Sequence, residues 1–302
     1  MSIYVPLSPS PVDVLTSLQS LYTTNPLLST YLDVHLVISP NPRQFNLQRN
    51  QARFFARTEF VMMLDVDFAI RTTFRDRVRG QGGDELRQLL RGGQAALVLP
   101  AFEYADQADG TDPSTFPDDK EVSPSTRSLC KERLAPSDGS LVIFQELLRL
   151  VEAGKIGSFH NFWLPGHSSE SSWPASSPSH LVLTAVRSTS DCASLSNPGT
   201  NYTQFYSTPS NSLYRVSTYQ HAYEPYVVFP RVGPPYCEER FVGYGGNKAA
   251  CLYQMHLSGI DFYVMGGEWV IHQSHAYAEK TRKHEVSRSA GGRVVPLPQS
   301  RS

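Results

Sequence analysis

Short apolar runs of strand length alternate with amphipathic segments of helical spacing through most of the chain. This alternation is typical of α/β proteins and disfavours an all-α or an all-β fold. With 302 residues, the chain is long enough for one large domain or for two ordinary ones, with a sizeable core. We therefore predict an α/β fold.

The same patterns predict individual elements. We predict strands at SIYVPL (2–7), YLDVHLVI (31–38), FVMMLDVDF (60–68) and AALVLPAF (95–102). We predict helices at VDVLTSLQSLYTT (12–24), FNLQRNQARFFAR (45–57) and FQELLRLVEAGKIGSF (144–159), the last of which is closed by Gly154. Residues 247–275 have the pattern of a helix that stops at Gly259 and is followed by two strands.

Two long stretches, residues 122–145 and 168–199, have no clear period, and the second is rich in serine and proline. Loops of this length inside a compact domain are uncommon. We interpret both as low-complexity insertions, either translated introns or surface loops, within one domain that spans residues 1–285. Residues 286–302 are largely polar, and we expect them to form a disordered tail.

Charge and composition exclude several classes of protein. The formal net charge of −1 disfavours a nucleic-acid-binding protein, because phosphate contacts usually require a basic excess. The chain has no apolar run of about 18 residues, so we expect no membrane segment in it. The four cysteines, Cys130, Cys192, Cys237 and Cys251, form no CxxC pair, so we predict neither a zinc site nor a disulfide scaffold.

An apolar run, FVMMLDVDF, ends in two aspartates that are one residue apart, Asp65 and Asp67. Because side chains alternate along a strand, we expect both carboxylates on the same side, at the strand end where α/β sheets bind ligands. Two carboxylates there suit Mg²⁺ or Mn²⁺ completed by substrate phosphates. A turn-capping aspartate beside a solvated one would give the same pattern. Phe68 and Ala69 disfavour a phosphatase with an aspartate nucleophile.

Nine short blocks along the chain resemble segments of one protein family. In order, they are NLQRNQAR (46–53), FVMMLDVDF (60–68), LVLPAFE (97–103), GKIGSFH (154–160), GH (166–167), TNY (200–202), EPYVVF (224–229), ERFVGYGGNK (239–248) and VIHQSH (270–275). In these blocks the chain resembles the glycosyltransferase family that includes the glucuronyltransferase domain of the dystroglycan-modifying enzyme LARGE and beta-1,4-glucuronyltransferase 1. The resemblance implies a GT-A-type, Rossmann-like fold in which helices flank a mixed sheet. It also implies a UDP-sugar donor, Mn²⁺ or Mg²⁺, a glycan or glycoprotein acceptor, and the Golgi as the location.

The resemblance also assigns roles to individual residues. Asp65, Asp67 and His272 would hold the metal against the donor diphosphate, with His275 as a substitute for His272. Five further residues would contact the donor or the acceptor: Arg49, Asn50, His167, Asn201 and Glu224. A solvated arginine beside a structural asparagine is the alternative for the Arg49–Asn50 pair.

The resemblance implies that the catalytic base lies in the segment PPYCEERF. The family has an acidic residue two positions before an Arg-Phe pair, and that position is Glu238 here, with Glu239 as the second candidate. An inverting transfer needs a base that takes the proton of the acceptor hydroxyl as its oxygen attacks the sugar. A solvated pair of glutamates is the alternative. UDP-glucuronate is the donor that the resemblance implies, with UDP-N-acetylglucosamine or another UDP-hexose left open.

The chain departs from the family at its start, at Gly246, in the short polar tail after His275 and where residues 168–199 interrupt the blocks GH and TNY. The family has an anchor, a stem and a first strand before the point where this sequence starts, so we expect the domain to be N-terminally truncated. Gly246 stands where the family has tryptophan. These departures leave open a second interpretation, that of a catalytically inactive relative that binds a sugar or a nucleotide.

Overall fold

The computed structural model describes residues 2–4, 11–37, 43–70, 72–104, 139–159, 199–243 and 245–272. The strands are β1 (Ser2–Tyr4), β2 (His35–Val37), β3 (Phe60–Met63), β4 (Phe68–Ile70), β5 (Ala95–Leu99), β6 (Ala101–Tyr104), β7 (Ile156–Ser158), β8 (Leu213–Arg215), β9 (Tyr226–Pro230), β10 (Asp261–Met265) and β11 (Val270–His272). The helices are α1 (Pro11–Thr24), α2 (Pro26–Tyr31), α3 (Phe45–Phe54), α4 (Phe74–Arg79), α5 (Asp84–Arg91), α6 (Gly139–Glu152), α7 (Tyr202–Ser207) and α8 (Asn247–Leu257).

Two mixed sheets form the centre of the protein. The larger has the strand order β3-β9-β5-β10-β8, and the smaller has the order β4-β11-β6-β7. Each contains one parallel pair, β5 with β10 in the larger sheet and β6 with β11 in the smaller, while the other neighbours are antiparallel. Strands β1 and β2 form a separate parallel pair. The predicted α/β fold with helices flanking mixed β-structure is confirmed.

Three segments of the chain run from the larger sheet into the smaller one. They are β3 to β4, β5 to β6 and β10 to β11, and each turns into the second sheet after a short break. The break between β5 and β6 is the single residue Pro100, whose carbonyl accepts a hydrogen bond from the amide of Val270. The breaks therefore lie side by side and define a junction between the sheets.

Helices cover both faces of the larger sheet. Because side chains alternate along a strand, each of its inner strands contributes to both faces. Ala96 and Val98 of β5 lie in the core that includes residues of α6, α7 and α8, and Leu97 and Leu99 lie in the core that includes residues of α4 and α5. All five β5 residues are buried, which explains why this strand has no polar alternation.

Most of the predicted elements are confirmed, with shifted ends. Helix α6 and helix α8 are followed by Gly154 and Gly259, both in the left-handed conformation that ends a helix. Helix α6 begins at Gly139, before the predicted start at residue 144 and inside the stretch 122–145. Phe144 of that stretch is buried and packs edge-on against Phe205 of α7. The remainder of that stretch up to residue 138, most of 168–199 and the tail 286–302 lie outside the described residues.

One predicted element is corrected. The strand predicted over residues 60–68 ends at Met63 and resumes as β4 at Phe68. A disulfide scaffold was not predicted from the cysteines, and the described residues contain the single disulfide Cys237–Cys251, across the contact between the loop after β9 and helix α8. A separation of 14 residues with no second pair nearby gave no pattern from which this bond could be recognised.

Candidate active site at the junction of the sheets

Asp65 and Asp67 lie in the connection between β3 and β4, at the junction of the two sheets. The amide of Phe68 donates to the carbonyl of Asp65, which closes this connection as a tight turn. Val66, between the two aspartates, is 92% exposed, so the turn projects into solvent. The strand alternation that was expected to align the two carboxylates does not apply here. Each carboxylate instead has its own set of neighbours.

Asp65 is surrounded by donors of the protein. Its Oδ2 atom accepts hydrogen bonds from the Tyr226 hydroxyl and from Lys248 Nζ, each at 3.1 Å. Arg49 Nη2 lies 3.7 Å from its Oδ1 atom. Lys248 Nζ also lies 3.5 Å from the centroid of the Tyr226 ring, which is a close cation–π contact. Asp65 therefore belongs to a four-residue cluster that carries two cations.

The cluster sets the protonation of its members. Partial burial alone would raise the pKa of Asp65, but Lys248 and Arg49, with the hydrogen bonds from Lys248 and Tyr226, outweigh burial and lower it. Burial raises the pKa of Tyr226 well above its ordinary value, and the charges of Asp65 and Asp67 raise it further. Asp65 is thus a carboxylate, and Tyr226 is a protonated donor to it.

Asp67 contacts a different partner, His272 at the end of β11. Its Oδ2 atom lies 3.5 Å from His272 Nε2. The imidazole is buried and lies against the rings of Phe68 and Phe159, with centroid distances of 5.2 and 4.8 Å. These rings fix the orientation of the histidine towards Asp67. The structure thus brings the second aspartate and the late histidine together.

The donor atoms of Asp67 and His272 suit a small divalent cation. Adjacent ligands of an octahedral cation bound at about 2.1 Å lie about 3 Å apart, so the 3.5 Å between Asp67 Oδ2 and His272 Nε2 would shorten if both bound one ion. Asp65 is less available, because one of its oxygens already accepts from Lys248 and Tyr226. Within the described part of the chain, no group of three or more His, Cys, Asp or Glu residues is arranged to hold a metal ion. The arrangement fits a cation held by one carboxylate and one imidazole and completed by ligands from outside the protein.

Helix α3 holds the loop that follows β9 against the site. Its buried side chains are polar: Asn46, Asn50 and Arg53. Asn50 makes two hydrogen bonds with the backbone of Cys237 and donates to Glu239, and Asn46 donates to the carbonyls of Glu238 and Asn247. Asn50 is therefore a structural residue in this state.

Arg49 lies on the same helix but faces the site. Its Nη1 atom donates to the side chains of Asn46 and Asn247, while Nη2 lies near Asp65. Its side chain is 21% exposed. Arg49 is therefore the member of the predicted Arg49–Asn50 pair that is placed to meet a ligand.

Glu238 and Glu239 lie on the surface of the held loop. Glu238 accepts from the backbone amide and from the guanidinium of Arg240, and these bonds lower its pKa to about 2. Such a carboxylate is a weak proton acceptor while Arg240 stays bound. Glu239 accepts from Asn50 at 2.8 Å.

Glu224 lies just before β9 and belongs to the surroundings of Asp65. Its Oε1 atom accepts from the amide of Ala249 in the first turn of α8. Burial raises the pKa of Glu224 and the charge of Asp65 raises it further, against the opposing effects of Lys248, of this hydrogen bond and of Arg49. The pKa of Glu224 is thus shifted towards neutral pH, whereas that of Glu238 is lowered.

The other predicted residues lie apart from the cluster or outside the described residues. Asn201 is the N-cap of α7, and its Oδ1 atom accepts from the amide of Gln204 at 2.9 Å. This explains the residue as a helix cap and gives it no contact with the Asp65 cluster. His167 and His275 belong to the part of the chain that is not described. None of the described helices is long and apolar enough to cross a membrane.

Two residues of the cluster, Lys248 and Tyr226, received no role from the sequence. Lys248 closes the block ERFVGYGGNK, and Tyr226 lies within EPYVVF. Lys248 follows a glycine pair by two residues and is not part of any periodic pattern that would predict its burial. Its burial follows from tertiary packing, which brings the start of α8 to the start of β9.

Comparison with known proteins gives consistent results. A family model described as "Glycosyl-transferase for dystroglycan" matches residues 37–190 and 189–291. Xylosyl- and glucuronyltransferase LARGE2 of Rattus norvegicus is 29% identical over 257 residues, which is 84% of this chain and 28% of that protein. LARGE2 of Homo sapiens is 28% identical over 258 residues, 83% of this chain and 26% of that protein. Glycosyltransferase-like protein gnt14 of Dictyostelium discoideum is 25% identical over 260 residues, 85% of this chain and 31% of that protein.

The matched region extends over most of the chain, including the elements that carry Asp65, Asp67 and His272. At the same time, the chain spans less than a third of the length of these curated relatives. The match of the family model to well over half of the residues decides the family. The chain belongs to the glycosyltransferase family whose model is described as the glycosyl-transferase for dystroglycan.

Proposed function

We propose that this chain is a metal-dependent glycosyltransferase domain that moves a sugar from a UDP-sugar to a glycan acceptor, with inversion at the sugar carbon. Glucuronic acid is the sugar we propose first. The observation that carries the proposal is the junction of the sheets, where the Asp67–His272 pair lies beside the Asp65 cluster in a chain of this family. The names of the relatives, which include xylosyl and glucuronyl transfer, support the choice of donors to test.

In this proposal each residue has a separate role. Asp67 and His272 would hold Mn²⁺ or Mg²⁺, which when bound supplies positive charge to the leaving diphosphate. Arg49, with part of its guanidinium exposed, would contact the donor from the α3 side. Asp65 would contact the donor with the oxygen that Lys248 and Tyr226 leave available.

The base that takes the acceptor proton is proposed among the three glutamates of the site. Glu238 can act only after Arg240 releases it, because its pKa of about 2 makes it a poor acceptor in the present arrangement. Glu239 would first have to release Asn50. Glu224, whose pKa is raised, is better matched to proton transfer near neutral pH.

A donor screen tests the proposal. The purified chain is mixed with Mn²⁺ and with UDP-glucuronate, UDP-xylose or UDP-N-acetylglucosamine, and the release of UDP is measured. We expect turnover with one donor, abolished by EDTA and restored by Mn²⁺. Asp67→Asn should lower the rate by at least about 100-fold, since it weakens a metal ligand. Asp76→Asn on the exposed surface of α4 is the matched control and should keep the wild-type rate.

The second candidate function is a binding protein without turnover. It is favoured by the engagement of Glu238 with Arg240, which leaves the first candidate base unavailable. Saturable binding of UDP with no UDP release from any donor would support it. No binding of UDP in the presence of Mn²⁺ would contradict both candidates.

The Golgi is the location that we propose for the transferase, by resemblance to the family.

A further inference from the structure

Lys248 is a buried cation at the candidate site. Its side chain is 4% exposed, whereas that of its partner Asp65 is 39% exposed. The carboxylate therefore faces the opening, and the ammonium lies behind it. A ligand that arrives from solvent therefore meets Asp65 before Lys248.

The contacts of Lys248 are specific. Its ammonium donates to Asp65 Oδ2 and lies over the ring of Tyr226, whose hydroxyl donates to the same oxygen. These two donors on one oxygen define the rotation of the Asp65 carboxylate. Since a buried charge is costly unless it is paired, Asp65 and Lys248 also depend on each other.

The backbone that carries Lys248 is held from three directions. The carbonyl of Asn247 accepts from Asn46 of α3, and the amide of Ala249 donates to Glu224. One turn later, the disulfide joins Cys251 to Cys237. These contacts fix the start of α8 relative to α3 and β9, and so they fix the position from which Lys248 reaches Asp65.

We propose that Lys248 is a positioning residue that holds the Asp65 carboxylate turned towards the donor nucleotide, while the metal is left to Asp67 and His272. The inference rests on the proposed function. It gives the two aspartates different roles. Asp65, supported by Lys248, would contact the nucleotide, and Asp67 would bind the cation. Loss of Lys248 should therefore affect the nucleotide and spare the metal.

The test compares Lys248→Met with Asp65→Asn, Asp67→Asn and the control Lys155→Met, which makes the same change at an exposed lysine. Calorimetry gives the Kd of UDP in the presence of saturating Mn²⁺, and electron paramagnetic resonance gives the Kd of Mn²⁺ without nucleotide. We expect Lys248→Met to raise the Kd of UDP at least about tenfold, as loss of a charge-assisted contact does, with the Kd of Mn²⁺ within about threefold of wild type. Asp67→Asn should weaken Mn²⁺ itself. Lys155→Met should change neither constant.

A double variant shows whether Lys248 acts through Asp65. If it does, Asp65→Asn combined with Lys248→Met should bind UDP no more weakly than Asp65→Asn alone, because the two residues share one effect. In the absence of ligand, the double variant should also melt at a higher temperature than Asp65→Asn, which leaves Lys248 buried without its carboxylate. This variant also covers the case in which Lys248→Met alone fails to fold.

The outcomes separate the two proposals. Equal UDP affinity with and without Lys248 overturns the positioning role and leaves the proposed function standing. Equal loss of Mn²⁺ and UDP affinity in Lys248→Met also overturns it, because a residue that only maintains the fold would produce that result. Wild-type protein that binds no UDP overturns the proposed function, and the positioning role with it.

Discussion

At the scale of single residues, the two aspartates of one motif have different surroundings. Asp65 faces two cations and a phenol, whereas Asp67 faces an imidazole held between aromatic rings. Groups of the same type acquire different roles when their environments differ in this way. From the sequence, the pair could be recognised, because two carboxylates after an apolar run are unusual. The division between them could not, since it depends on residues from β9, α8 and β11.

Glu224 gives a prediction on pH dependence. Burial raises the pKa of Glu224, so between its unfolded and folded pKa values the native protein keeps a proton that the unfolded chain loses. The free energy of unfolding therefore falls as pH rises through that window and stays lower above it. Glu224→Gln removes this titration. We expect the stability of Glu224→Gln relative to wild type to increase from about pH 4 towards neutral pH, as measured by urea unfolding.

The control for this measurement is Glu85→Gln, a substitution at an exposed glutamate in the first turn of α5. It should produce no comparable pH-dependent gain. A difference between Glu224→Gln and wild type that is constant with pH would contradict the proposed burial effect on the pKa of Glu224.

At the scale of elements, helix α3 shows one limit of sequence patterns. Its helix was predicted from residue spacing, and that prediction is confirmed with an earlier end at Phe54. Its buried face, however, consists of Asn46, Asn50 and Arg53, which bind backbone groups of the loop after β9. These polar residues have helical spacing, which is consistent with a buried polar face. Polar residues that line a donor site on a helix would have the same spacing, so the sequence alone does not distinguish the two.

The strand predicted at residues 60–68 shows a different limit. Its apolar residues fit a strand, and β3 does occupy the first part. The break at residues 64–67 arises because the chain leaves one sheet for another, and β3 pairs with β9 while β4 pairs with β11. The pairing partners of β3 and β4 lie more than a hundred residues away in the sequence. The residues of a short segment do not indicate such distant partners.

The disulfide gives a prediction at the element scale. Cys237–Cys251 links the loop that bears Glu238 and Glu239 to the helix that bears Lys248, and it closes a loop of 14 residues in sequence separation. A cross-link of this loop length stabilises a protein by about 3 kcal/mol in the chain-entropy account. We expect reducing agent to lower the free energy of unfolding by an amount of that order, measured by urea unfolding with and without reductant.

The matched variant is Cys237→Ala combined with Cys251→Ala, whose stability should no longer respond to reductant. Since the disulfide also holds the start of α8, this variant should bind UDP more weakly than wild type does under the conditions of the donor screen. Wild-type protein whose unfolding is unchanged by reductant would contradict the prediction.

At the scale of the whole molecule, the three crossings between the sheets set the position of the site. The third crossing, between β10 and β11, packs tightly against the chain before β8. A Cβ atom added at Gly266 would lie 2.3 Å from the carbonyl oxygen of Pro209 and 2.6 Å from Thr208 Cγ2. The crossing can therefore approach the chain before β8 only because residue 266 has no side chain.

Gly266→Ala should consequently destabilise the protein. Overpacking of this kind costs about 1–3 kcal/mol, and here the obstructing atom belongs to the backbone. Thermal and urea unfolding would measure the loss. The control is Gly82→Ala, where an added Cβ meets nothing within 4 Å, and its stability should lie within about 0.5 kcal/mol of wild type. Equal stability of the two variants would show that the crossing has room to adjust.

The overall architecture was only partly predictable from the residues. The alternation of strands and helices identified the α/β class, and the resemblance indicated helices flanking a mixed sheet. The strand order was not predictable, because β9, which received no strand prediction, lies between β3 and β5. Nor did the sequence show that the structure contains two sheets joined at breaks, since one proline and two short turns form all three crossings.

The parallel pairing of β5 with β10 has a consequence for biosynthesis. Ala95 lies opposite Asp261, so the centre of the larger sheet joins stretches that leave the ribosome far apart in time. His272 follows only after the later of these stretches, and pairings so remote in sequence form slowly. Until then, Asp65 and Asp67 belong to a nascent chain that has no imidazole beside them, and the candidate cation site comes into being only with the last of the described strands.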